Sequence, residues 1–157
     1  MSPLPSDYQI RQGSSLDRAQ LVKFMERTYR EIYPQQTSRH LAYTVDAHLS
    51  PDTPLWWAET PALSAPIGGL WLGNALDQVS GQRHAYVLLL YVAPDYRRRG
   101  IATTLLEAAH QWAQQRGDRQ ISLQVFHDNQ PALSLYQKLG YRPSVVMLSK
   151  SLGSSNP

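Results

Sequence analysis

The chain of 157 residues has no cysteine. That excludes disulfides, thiolate metal sites and a cysteine nucleophile, and it removes any redox clue to compartment. Long apolar runs are also missing: none approaches the roughly 20 residues of a membrane span. Residues 1–8 lack the basic-then-apolar pattern of a signal peptide. The expectation is a soluble cytoplasmic protein without a membrane partner. Charge of one sign is scarce, with 15 Lys and Arg against 12 Asp and Glu for a net charge of +3. The arginines are scattered except at Arg97–Arg99, so no nucleic-acid partner is expected and a local anion site is the better reading. Two familiar phosphate loops are absent too: there is no Gly-Lys-Ser/Thr, and no G-x-G-x-x-G followed by a ribose-binding acid. There is no internal repeat.

With 42% apolar residues, one domain spanning residues 1–157 is expected, its ends at 1–7 and 153–157 flexible because they are rich in Ser, Pro and Gly. A short strand at 8–11 precedes a helix capped by Ser14 or Ser15, with Leu21, Met25, Thr28 or Tyr29, and Ile32 on one face and Pro34 as its stop. A second helix is expected over 38–49. The period then shortens, predicting strands at 55–60, 67–72 and 85–92. Helical spacing returns after Gly100 with Ile101, Leu105, Ala108, Ala109, Trp112 and Ala113, and Gly117 is placed to end it. Residues 120–126 read as a strand. Asn129 caps a last helix carrying Ala132, Leu135, Tyr136 and Leu139 and stopped by Gly140, and a final strand is expected over 141–150. The order predicts a mixed α/β domain with helices packed on a central sheet.

The segment from Val92 to Ala102 ends an apolar strand and opens a helix. Small residues there let the main chain approach a ligand closely, and the exposed N–H groups and dipole of a fresh helix favour phosphate oxygens. The alternative is that Gly100 merely starts a helix and the arginines form a solvated turn.

Val92-x-Pro94-x-x-Arg97-x-x-Gly100-x-Ala102 resembles the acetyl-CoA signature of the GNAT superfamily of N-acetyltransferases. Leu123-x-Val125 followed by Asn129-x-Pro131-Ala132-x-x-x-Tyr136-x-x-Leu139-Gly140-Tyr141 is similar to that family's second block. The resemblance implies a mixed, mostly antiparallel sheet flanked by about four helices, with acetyl-CoA as acyl donor and no metal. By the same resemblance, the main chain of Leu90 and Val92 pairs with the pantetheine arm. The N–H groups of Arg98, Arg99, Gly100, Ile101, Ala102 and Thr103 hold the pyrophosphate, Arg97, Arg98 and Arg99 add charge, and Asn129 caps the last helix and touches CoA. Ala102 stands where the family usually has Gly.

Without cysteine, acyl transfer proceeds by direct attack of a primary amine, of a small molecule or a protein, on the thioester. Tyr136 matches the family's tyrosine that reaches the CoA sulfur. A phenol with pKa ~10 stays protonated and can serve as general acid; its other reading is core packing on the helix face. The N–H of Leu90 is the expected oxyanion donor, if the strand splays there. The base is open, because Gln124 stands where several branches carry glutamate and an amide cannot accept the proton. Glu59, His84, His127 and Asp128 are the ionisable candidates, with water as a relay or an acceptor of low pKa as alternatives. Acceptor specificity is expected from the two early helices and from Tyr29, Tyr33, His40, Tyr43, Trp56, Trp57 and Trp71, although most of these read as core. Two other functions stay open: an acyl-CoA-binding sensor or regulatory module, hinted at by Gln124, and a nucleic-acid binder using the arginines. A homodimer is also open, since nothing in residues 144–152 requires one.

Overall fold

The computed structural model describes residues 7–153. Apart from Asp7 and Gly153, the ends expected to be flexible lie outside the described residues. The chain divides into two compact units, Met1–Gln124 and Val125–Pro157.

The first unit is built on a five-stranded sheet in the order β1-β2-β3-β4-β5, comprising β1 (Gln9–Gln12), β2 (Leu55–Glu59), β3 (Gly68–Leu76), β4 (Arg83–Val92) and β5 (Ile121–Ser122). β1 to β4 form an antiparallel meander, and β5 joins β4 in parallel. Short connections at 60–67 and 77–82 join β2 to β3 and β3 to β4, residues 13–54 with two helices lie between β1 and β2, and the parallel step needs a crossover. The 16-residue helix α3 (Ile101–Arg116) supplies it.

Ser14 caps a short 3-10 turn, and Asp17 returns the bond to the Ser14 N–H at 2.9 Å, which fixes the entry to α1 (Arg18–Ile32). Leu21, Phe24 and Met25 of α1, with Leu41 and Val45 of α2 (Leu41–His48), bury against Leu55, Trp57, Trp71, Leu89 and Tyr91. Ile32 is 44% exposed and does not join the expected stripe. The apolar contacts end near Met25, so the last turns of α1 run past the core and Phe24 takes the central place. The tryptophans named as acceptor-side candidates, Trp56, Trp57 and Trp71, are buried. On α3, Ile101, Leu105, Leu106, Ala109 and Ala113 form the buried stripe.

Between β3 and β4 the register slips at Trp71/Leu72, so that Trp71 opposes Leu89 but Leu72 opposes Val87, leaving Leu88 as the bulged residue. Gly73 faces that bulge, where a Cβ would sit 2.7 Å from Leu88 Cδ1.

In the second unit, α4 (Gln130–Lys138) is capped by Asn129, whose Oδ1 accepts from the Ala132 N–H at 3.4 Å, with Pro131 in the first turn. The strand expected over 141–150 is not formed among the described residues. Val145, Val146, Met147 and Leu148 supply β propensity, but they do not alternate and a strand exists only through a hydrogen-bonded ladder. The strand expected over 120–126 is likewise reduced to Ile121–Ser122.

Candidate acyl-CoA site

β4 gives one edge to β3 along its whole length, while its pairing with β5 is limited to Ala85 with Ile121 and Tyr86 with Ser122. Beyond that point the other edge, from Val87 to Val92, has no ladder partner among the described residues. The Ala93 N–H donates to Ile67 O at 2.8 Å on the β3 side. Strand alternation then points the main-chain groups of Tyr91 toward β3 and those of Leu90 and Val92 toward the open edge. The ladder between β4 and β5 ends at the pair of Tyr86 with Ser122, Tyr86 lying four residues before Leu90.

The open edge leads into a turn that ends at Gly100, the N-cap of α3, in the left-handed conformation with φ 81° and ψ 7°. Arg98 also has a positive φ, 63°, which is uncommon for a side-chain-bearing residue and is held by its neighbours. The N–H groups of Ile101, Ala102 and Thr103, in the first turn of α3, have no acceptor among the described residues, and no side chain caps the helix. Three convergent donors at the positive end of a 16-residue helix suit an anion. Behind them Gly68 permits close packing: a Cβ there would come 3.1 Å from Tyr91 O and 3.5 Å from Ile101 Cγ2.

The three arginines differ. Arg97 Nε donates to Val92 O at 2.7 Å, and its Nη2 donates to Glu31 at 2.8 and 2.9 Å. Arg99 Nη1 donates to the Tyr8 hydroxyl at 2.6 Å, and its guanidinium lies 5.3 Å from the Tyr96 ring centroid. Arg98 is exposed. Two of the Arg97 donor nitrogens, Nε and Nη2, are thus engaged by groups of the chain itself. Glu31 was not legible as part of this site, because its contact spans 66 residues and no local spacing announces it. The Tyr91 hydroxyl donates to Glu31 Oε1 at 3.0 Å, and burial, then this bond, raises its pKa.

In the second unit Tyr136 lies on α4, with its ring 5.7 Å from that of Tyr141 in an edge-on pair. Burial raises the pKa of its phenol, so it stays protonated and can donate at neutral pH. Of the base candidates, Glu59 accepts from Arg11 Nε at 2.9 Å. His84 is buried, with Nε2 2.8 Å from Ser122 Oγ and Nδ1 3.1 Å from Gln120 Nε2. It lies six residues before Leu90, roughly 20 Å along the strand. That separation and its two partners make it a structural residue. Gln124, His127 and Asp128 are exposed. The described residues include no helix long and apolar enough to cross a membrane and no cluster of metal-ligating side chains.

An acetyltransferase of Sodalis glossinidius is 38% identical over 92 residues, covering 57% of this chain and 64% of that one. An uncharacterised N-acetyltransferase of Bacillus subtilis, YdgE, is 29% identical over 62% of this chain and 60% of its own. The match thus spans less than two thirds of either relative. Among solved structures, a Pyrococcus furiosus protein assigned as an acetyl transferase superimposes with a TM-score of 0.78 at 24% identity, over 92% of this chain and 99% of that one. The aminoglycoside N-acetyltransferase AAC(6')-Iy in complex with CoA gives 0.73 at 19% identity, over 98% of this chain and 100% of that one. Both likenesses are of the fold. The acetyltransferase (GNAT) family model matches residues 18–141, and the chain belongs to that family.

Proposed function

We propose that this chain is an acetyl-CoA-dependent N-acetyltransferase that passes the acetyl group directly to a primary amine, with residues 1–157 as a single N-acetyltransferase domain. The observation that carries the reading is the continuity of the open β4 edge with the unpaired N–H groups at the start of α3. An extended amide chain ending in a diphosphate needs a strand edge followed by an anion site, and residues 90–103 supply them in that order. The family match across both units and the relatives named N-acetyltransferases support it.

In this reading Leu90 and Val92 bind the pantetheine arm through main-chain groups. The N–H groups of residues 98–103 hold the pyrophosphate, Arg98 and Arg99 add positive charge, and Asn129 contributes from the cap of α4. The acetyl thioester supplies the electrophilic carbonyl. The Leu90 N–H donates to the oxyanion that develops there, and Tyr136 gives its proton to the departing sulfur. Deprotonating a lysine-like amine, pKa ~10.4, is harder than expelling a thiol of ~8.5. With Gln124 in place of an acid, the amine loses its proton to water or arrives neutral, as an α-amino group of ~7.7–8.0 does.

Thiol release from acetyl-CoA against a panel of α-amino, aryl and alkyl amines tests the function. Amine-dependent release supports it, with α-amino and aryl acceptors ahead near neutral pH. CoA binding with no release for any amine class supports the sensor instead.

A further inference from the structure

The Arg97 guanidinium joins three groups. Its Nε holds the Val92 carbonyl at 2.7 Å, Nη2 holds both Glu31 oxygens at 2.8 and 2.9 Å, and its carbon lies 5.4 Å from the Tyr91 ring centroid. The Tyr91 hydroxyl closes the circuit on Glu31 Oε1 at 3.0 Å. We propose that Glu31, near the end of α1, is a positioning residue of the acyl-CoA site, holding Arg97 on the Val92 carbonyl and so setting the shape of the turn into α3.

This inference rests on the acyl-CoA reading and assigns one of its parts differently. Arg97 opens the arginine run and reads from the sequence as added positive charge, but Glu31 already neutralises it. The Val92 carbonyl already accepts from Arg97, so on the open edge Leu90 presents both main-chain groups, and Val92 its N–H and a carbonyl with one lone pair left. The pair is not a stability device, since its side chains are 42% and 40% exposed and exposed ion pairs contribute little to folding. What it fixes is geometry. The next residue, Arg98, sits at φ 63°, a conformation that persists only where surroundings impose it. Arg97 anchors one side of that residue, and Arg99, on the Tyr8 hydroxyl at 2.6 Å, anchors the other. α1 is thereby tied to cofactor affinity.

A double-mutant cycle read by CoA calorimetry tests this, using wild type, Glu31→Gln, Arg97→Ala and the double variant. Each single change is expected to weaken CoA about tenfold, and the double no more than either alone, because both break the same clamp. The KM for acetyl-CoA should rise by the same factor with kcat within about twofold, a split that general loosening of the fold does not produce. Tyr91→Phe removes one hydroxyl from the circuit and should cost about threefold, which keeps the test available should a charge variant fail to fold. If Arg97 instead bound phosphate directly, Glu31→Gln would free it and tighten CoA, and Arg97→Ala would keep its full cost in the double variant. Either result overturns the proposal, as do additive losses. Absence of CoA binding by the wild-type chain overturns the acyl-CoA reading itself and the clamp with it.

Discussion

Replacing Gly100 by alanine asks the turn before α3 to carry a side chain at φ 81° and ψ 7°. Left-handed backbone costs an alanine roughly 1–2 kcal/mol, and in a chain of this size each kcal/mol lowers Tm by roughly 2–4 °C. Stability alone would therefore fall by about 2–8 °C in Tm. The control lies at the other end of the same helix, where Gly117 has φ 91° and ψ 14° and a Cβ would meet nothing within 4 Å. Gly117→Ala carries the same backbone strain far from the anion site. The two variants should lose similar stability, but only Gly100→Ala should lose CoA. Relaxing the strain at residue 100 rotates the peptide leading into Ile101 and turns donors away from a bound anion. Losing one charge-assisted hydrogen bond, about 1.5–3 kcal/mol, corresponds to roughly a 10- to 150-fold weaker Kd. Calorimetry with CoA at 25 °C beside melting curves measures both quantities. Equal CoA affinity of the two folded variants would refute the placement of the anion site at the start of α3.

Tyr136→Phe should lower kcat by roughly 10²-fold with little change in KM for acetyl-CoA, and an unchanged single-turnover rate would remove it as general acid. Because burial raises the Tyr136 pKa, its protonated form should support turnover to at least the ordinary phenol range, so a loss of kcat setting in well below pH ~10 would point to another donor. Leu106, fully buried on α3, should cost about 2–5 kcal/mol on truncation to alanine, measured by urea unfolding. The Arg116 bond, ahead of the Ala85 N–H, holds the Asp118 carboxyl below its ordinary pKa. Its stabilising effect is therefore complete above the unfolded value near 3.8 and lost as pH falls through the lower folded value. Asp118→Asn should flatten the Tm profile below about pH 4, and an unchanged acid limb would contradict this.

Much of the fold was legible because local rules act locally. The Ser14 and Asn129 caps, the stops at Gly117 and Gly140, and the runs of β2 to β4 follow from neighbours in sequence. The turn at Gly100 was legible for the same reason: its conformation is set by a residue type that tolerates it. Features made by distant partners were not. The bulge at Leu88 follows from how two strands meet, and Ile32 is exposed because α1 outruns a core whose extent no helical period encodes. The strand expected over 141–150 does not form among the described residues, because apolar content alone supplies no pairing partner. Of the candidate site, Val92 and Gly100 stand in the motif and Leu90 follows from the resemblance, but the engagement of Arg97 was not legible, since Glu31 and Arg97 meet only after α1 and β4 have packed.

Titrating CoA into the wild-type chain at modest salt tests most directly whether the open β4 edge and the start of α3 form an acyl-CoA site. Saturable one-to-one binding that weakens as salt rises, and that Gly100→Ala but not Gly117→Ala diminishes, is the expected result. No heat of binding and no shift in Tm at millimolar CoA would contradict it.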